Sequence, residues 1–361
     1  MTMSEADTSA DAFAGRVFTA ALGAVDLWSI YTGDKFGLYR ALAESGPATR
    51  PELTERTGMH QRYCHEWLEQ QVTSGILAVD DPALPADDRR YRLPEGHAEV
   101  LTDVDSLGYL APFVRLMSAA GVQLPSLLEA YRTGGGVSWA QFGVDMRTGQ
   151  AEMNRPWFLS ELGNTWFPAI PDLHSRLEAG AAVADVGCGE GWSSIAIALA
   201  YPNVTVDGFD IDTPSIEAAR RYAARAGVAD RIRFHDTDAA TLDHPDGYDV
   251  VTAFECIHDL PYPVPVLSTM RRVVKDGGIV LVMDEAVADA FGDRFDDVER
   301  LMYGFSLFIC LPDGMSHPDS SGTGTVIRPA TLKRYAESAG FSDVEVLPVE
   351  NELWRFYRLL L

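Results

Sequence analysis

The spacing of apolar positions changes character near residue 180. Before it, apolar residues recur at helical intervals; after it, short apolar runs alternate with amphipathic stretches. Phe18, Leu22, Val25 and Trp28 form a stripe that predicts an N-terminal amphipathic helix. Thr49-Arg50-Pro51-Glu52 reads as a capping box with proline in the first turn, and Gly58 as its left-handed stop. A second helix is predicted over His60–Ser74, with Tyr63, Trp67, Leu68 and Val72 on one face. Ile76–Val79 and Tyr91–Leu93 read as a hairpin around a polar loop. From Leu107 to Pro171, helical patterns are broken by Gly134-Gly135-Gly136 and by Pro112, Pro125, Pro156 and Pro168, which predicts linker helices and a bridging loop.

Beyond residue 180 the strands are predicted at Ala182–Val186, Val204–Phe209, Ile232–Phe234, Val250–Phe254 and Ile279–Met283. Helices at Trp192–Ala200, Pro214–Ala226 and Val264–Val274 separate them. This alternation implies a parallel sheet covered on both faces. A helix at Pro329–Ala339 and strands at Val344–Pro348 and Glu352–Leu360 close the chain. The helix–helix–hairpin order of the first hundred residues looks like a winged helix. The expected organisation is an acidic, disordered tail over 1–12, a winged-helix and dimerisation domain over 13–106, a helical linker and cap over 107–171, and an α/β domain over 172–361.

Asp185-Val186-Gly187-Cys188-Gly189-Glu190-Gly191 follows the first of these strands and opens a helix. Glycines at alternate positions permit a sharp turn and close approach of a ligand. By itself such a turn is also compatible with no ligand at all. The next strand ends at Asp210, where a carboxylate can accept both hydroxyls of a ribose. After the third comes Asp238-Ala239, placed to accept an adenine amine. The three features together outline an adenosine pocket. A dinucleotide fingerprint would want glycine where Trp192 stands, no GK[ST] loop is present, and the acidic surroundings suit a cationic sulfonium better than a pyrophosphate.

The formal net charge of −24 disfavours nucleic acid and anionic membranes. Residues 1–100 carry 9 Lys/Arg against 16 Asp/Glu, which argues against a DNA-reading winged helix. Cys64, Cys188, Cys256 and Cys310 stand singly, predicting free thiols in a cytoplasmic protein and no metal site. No run of about 18 uncharged apolar residues predicts a membrane span, and no basic, apolar leader is evident.

Ala184–Ser194, Gly208-Phe209-Asp210, Asp238-Ala239 and the terminal strands resemble the class I S-adenosylmethionine methyltransferases. Gly33–Ala43, Gly134–Gly143, Cys256–Asp259 and Ser306–Pro312 resemble the subgroup with an N-terminal winged helix, related to small-molecule O-methyltransferases. The resemblance implies a Rossmann-like sheet of seven strands, the last antiparallel, and S-adenosylmethionine as cofactor. It places Asp185, Gly187, Gly189, Gly191, Asp210, Ile211, Asp238, Ala239 and Phe254 against that cofactor. It implies a small, apolar or aromatic acceptor, methylated at oxygen in the first instance, and a homodimer. The rival expectation is an inactive or cofactor-responsive binding protein or regulator on the same fold.

His258-Asp259, past the fourth strand, matches the family's catalytic pair, with His258 as base and an acid past the fifth strand, Asp284 or Glu285, as its orienter. Glu285 is included with His258 and Asp259 as the expected catalytic set. A loop-capping role for His258 stays open, as does contact of Glu255 with the cofactor's cationic end. Trp139, Phe142, Trp157, Tyr303, Phe305, Phe308 and Cys310 are candidates to line the acceptor pocket.

Overall fold

The computed structural model describes residues 9–293 and 296–361. The chain divides into two compact units: residues up to 121 with 144–156, and residues 122–143 with 157–361. The stretch expected to act as one linker, 107–171, is therefore shared out between them. Most of the expected disordered tail lies outside the described residues, but Ser9 caps a helix over Ala10–Lys35, so its end is helical.

In the first unit the capping box forms as expected. Thr49 Oγ1 accepts the Glu52 amide, the Glu52 carboxylate accepts the Thr49 amide at 2.8 Å, and Gly58 ends the helix at φ 71°. Helix Gln61–Thr73 and the hairpin of β1 (Ala78–Val79) and β2 (Tyr91–Arg92) complete the winged helix. Leu38, Tyr39, Leu53, Cys64, Trp67, Leu68 and Tyr91 form its core. Gly33 is required by contact: a Cβ there would lie 2.5 Å from the Tyr39 ring and 2.6 Å from Trp67. By length and composition helix Ala10–Lys35 would pass for a membrane span. Its polar side, however, is engaged within the unit. Asp26 accepts from Ser74 at 2.6 Å, Asp34 pairs with Arg115 at 3.1 Å, and the Ser29 carbonyl accepts the Trp67 indole N–H at 2.9 Å.

The second unit is built on seven strands: β3 (Ala182–Val186), β4 (Thr205–Asp210), β5 (Ile232–Asp236), β6 (Tyr248–Phe254), β7 (Val274–Glu285), β8 (Asp343–Val346) and β9 (Trp354–Leu360). Their order is β5-β4-β3-β6-β7-β9-β8, with β9 antiparallel to both neighbours. Helices Pro171–Glu178, Trp192–Ala200 and Thr213–Ala226, with a π-helical segment Phe158–Trp166, cover one face. Helices Pro263–Val273 and Pro329–Ser338 cover the other. The strands read as nearly unbroken apolar runs because both faces are buried. The chain leaves β3 toward β4 and returns to its other side at β6, so the carboxyl ends of β3 and β6 flank the point where strand order reverses. Open α/β sheets hold their ligands at that crevice.

Candidate active site

The turn after β3 is held from below by Asp185. This carboxylate is 1% exposed; Oδ2 accepts the Ser193 and Ser194 hydroxyls at 2.6 Å each, and Oδ1 accepts Thr252 at 2.9 Å. Burial pushes its pKa up, and the three hydroxyls work against that rise. The expected contact of Asp185 with a ligand is corrected accordingly: its oxygens fasten the first turn of helix Trp192–Ala200 to β3 and β6, and at 1% exposure the side chain offers a ligand almost no surface. The three glycines also divide their work. A Cβ on Gly187 would lie 2.7 Å from Cys256, and one on Gly191 2.7 Å from the Phe234 ring. Both therefore permit close packing of the protein on itself. Gly189, at φ 52°, faces open space. It is the glycine against which a ligand can lie.

The Gly189 amide donates to Asp210 Oδ2 and the Asp212 amide to Oδ1, both at 2.8 Å. These bonds fix the carboxylate while each oxygen retains further acceptor capacity for a pair of ribose hydroxyls. Ile211, next along, is 66% exposed, an apolar side chain open beside a polar turn. Asp238 stays exposed after β5, with Oδ1 accepting the Ala240 amide at 2.9 Å and Ala239 opening a short 3₁₀ turn. Open Gly189, clamped Asp210 and bare Ile211 fit an adenosine. Phe254 does not belong to this group. Its ring packs inside the core, 5.7 Å from Phe158 and 6.4 Å from Phe167, because its strand position points into that face of the sheet.

His258 lies past β6, 4% exposed. Its Nδ1 is 2.6 Å from Oδ1 of Asp284, which is fully buried. Strand parity decides which acid meets it. Val282 and Asp284 point to one face of β7, Met283 and Glu285 to the other. The expected assignment of Glu285 to His258 is thus corrected to Asp284. Glu285 instead senses Glu255, a residue held at φ 49° just past β6; burial first and that neighbouring charge second raise its pKa well above the ordinary range. On the other side of the imidazole, Nε2 stands 3.3 Å from Asp259 Oδ1. Burial opposes charge on His258, yet Asp259, Asp284 and the Nδ1 bond outweigh it and raise its pKa well above 6.5.

Of the aromatic and sulfur candidates, Cys310 reaches this centre, at the end of a π-helical turn Ser306–Cys310. Phe142 is core, Trp157 packs edge-on against Trp354, and the Tyr303 hydroxyl accepts from Arg328 at 3.0 Å. Asp313 had no sequence signal. It accepts the Trp139 amide at 2.6 Å, and burial, then Asp259, push it up to about 7. The Gly134–Gly136 run belongs to the same arrangement. A Cβ on Gly136 would lie 2.2 Å from the Pro312 carbonyl, so the run serves close backbone approach as well as a turn.

Residues 177–315 match the family described as "Methyltransferase domain", and residues 24–103 the "Rv2258c-like winged HTH domain". The chain is 33% identical over 153 residues to 27-O-demethylrifamycin SV methyltransferase of Amycolatopsis mediterranei, covering 40% of this chain and 55% of that protein. It is 30% identical over 199 residues to the ubiquinone biosynthesis O-methyltransferase of Paracidovorax citrulli, covering 54% of this chain and 75% of that one. Among solved structures, mitomycin 7-O-methyltransferase MmcR superposes with a TM-score of 0.72 at 21% identity, over 98% of this chain and 100% of that one. Human N-acetylserotonin methyltransferase in complex with SAM gives 0.70 at 18%, over 98% and 99%. The two structural likenesses speak for the fold, the sequence relatives for the family: this chain belongs to the S-adenosylmethionine-dependent methyltransferases, in the form that carries an N-terminal winged helix.

Proposed function

We propose that the chain methylates a hydroxyl group on a small, flat, largely apolar acceptor. The observation that carries this is the His258–Asp284 contact of 2.6 Å, set beside the strand-order reversal. Gly189, Asp210, Ile211 and the Asp238-Ala239 turn would hold the cofactor's nucleoside. Bound there, S-adenosylmethionine would supply a methyl group activated by positive sulfur, a leaving group able to take the electron pair of the carbon–sulfur bond. His258 Nε2 takes the proton of the hydroxyl, and Asp284 holds the Nδ1–H tautomer and stabilises the charge that results. Asp259 has to give up its place at Nε2 to admit the acceptor; its side chain is 37% exposed. A phenol and amine panel incubated with the cofactor and read by mass spectrometry tests the reading. Methylated amines with untouched phenols would overturn it.

The same reading includes a homodimer in the cytoplasm, without affinity for nucleic acid or membranes. Phe13, Val17, Phe18, Leu22, Val25 and Trp28 are 48–66% exposed along one helix, an apolar strip that a second copy would cover. On helix Gln61–Thr73, Arg62 pairs with Glu66, and Arg89 pairs with Glu69 at 2.5 Å, which leaves little positive charge for a phosphate backbone.

A further inference from the structure

We propose that His258, Asp259 and Cys310 form a binding site for a soft divalent cation of the zinc class, and that its occupancy blocks the proton acceptor. The nitrogen, oxygen and sulfur of these residues all lie within 4.8 Å of one another. Tetrahedral zinc, with bonds of about 2.0–2.3 Å, sets its ligand atoms roughly 3.3–3.8 Å apart. His258 Nε2 and Asp259 Oδ1 already stand at 3.3 Å.

Asp259 Oδ1 is buried and has no hydrogen-bond partner among the described residues, although Nε2 is beside it. The two atoms are thus close without being joined by a hydrogen bond, while the Asp259 carboxylate interacts with the Cys310 thiol. Two ligand atoms at this spacing that are not bonded to each other can both reach one cation. The Cys310 thiol approaches both residues. Behind the ring, Asp284 takes the Nδ1–H, the carboxylate–imidazole arrangement that fixes a metal-binding histidine in the correct tautomer. Burial first and the Asp259 charge second push the Cys310 thiol up to about 12, so a cation has to displace its proton to solvent on binding. With one nitrogen, one carboxylate oxygen and the resulting thiolate, the set selects zinc, cobalt or copper over magnesium or calcium. Three protein ligands leave a fourth position open, and the partly exposed Asp259 marks the way in.

A cation held here uses the Nε2 lone pair that the acceptor's proton needs. The inhibitory consequence rests on the reading of His258 as proton acceptor; the binding does not. The test is titration of the chelator-treated full chain with Co²⁺. One equivalent should produce a thiolate-to-cobalt absorption band. Cys310→Ser should abolish the band, and Asp284→Asn should weaken binding about 10–100-fold through the lost outer partner. Methyl transfer should fall with the same midpoint and return on chelation, with each variant compared with its own metal-free rate. No thiolate band, or a band that persists in Cys310→Ser, overturns the site. A Cys310-dependent band with unchanged turnover upholds the site and overturns His258 as the base.

Discussion

Replacing Asp185 separates a fastening role from a ligand contact. In Asp185→Ala, Ser193 and Ser194 lose their shared acceptor in the interior, and Thr252 keeps only the Ala184 carbonyl at 3.3 Å. Each bond contributes about 1 kcal/mol net, so the loss is roughly 3 kcal/mol. For a unit of this size about 2–4 °C accompanies each kcal/mol, which predicts a melting temperature lower by roughly 6–12 °C. Asp185→Asn should behave differently. Its amide oxygen can accept both serines where Oδ2 does, and its NH₂ can donate to Thr252, whose own hydrogen turns to Ala184. Burial already disfavours charge at this position, so losing the charge costs little. The asparagine variant should melt within about 3 °C of the native chain and bind S-adenosylhomocysteine within about threefold, below roughly 0.7 kcal/mol. Differential scanning calorimetry and isothermal titration calorimetry read the two quantities independently. A tenfold loss of affinity in Asp185→Asn at unchanged melting temperature would refute the fastening role and restore a direct contact.

Other outcomes follow from neighbouring residues. Asp210→Ala should weaken S-adenosylmethionine and S-adenosylhomocysteine alike by calorimetry, since the ribose is common to both. Gly189→Ala should fold with a penalty near 1 kcal/mol for its positive φ yet bind the cofactor poorly, whereas Gly191→Ala should lose stability through the Phe234 contact. Asp259 and Asp284 hold the proton on His258, so the acid limb of the turnover profile should lie well above pH 6.5 in chelator-treated enzyme. Removing one of those charges with Asp259→Asn lowers the His258 pKa and should carry that limb to lower pH; a limb that stays in place counts against His258 as the base. Phe18→Glu with Trp28→Glu should convert a dimer to a monomer in light scattering, and a native chain that already runs as a monomer contradicts the dimer.

Much of the fold is legible where local chemistry decides it. Thr49, Pro51, Glu52 and Gly58 set the start and stop of one helix locally, although Leu53 in the core is what holds it in place. The five parallel strands are visible because burial on both faces removes polar residues from them. Their limits are less visible. β7 begins at Val274, before the predicted Ile279, because the polar Lys275–Gly278 stretch still continues the strand; Lys275 pairs with Asp249 at 2.9 Å. The glycine-rich turn shows the same division. Its existence can be read from the pattern, but which glycine faces open space depends on Phe234 and Cys256, whose positions come from other strands.

The catalytic candidates mark where pattern gives way to topology. Asp185 stands opposite Thr252 because β3 lies beside β6 in that register, and no spacing along the chain carries strand order. Asp284 and Glu285 are adjacent in sequence and chemically alike. Only the alternation of β7, with Val282 and Met283 facing opposite cores, gives the His258 hydrogen bond to the first; the second feels the Glu255 charge more strongly than that of His258. Cys310 is the extreme case. It was a lone thiol in the sequence, with no histidine or second cysteine near enough to suggest a ligand set, and the fold carries it to His258 and Asp259. The same imidazole is thereby surrounded by two possible claims on one lone pair, a hydroxyl proton and a cation. Since Nδ1 is committed to Asp284 in either case, the two claims exclude each other at Nε2. Competition between metal and acceptor, rather than metal dependence, is what the two proposals predict together.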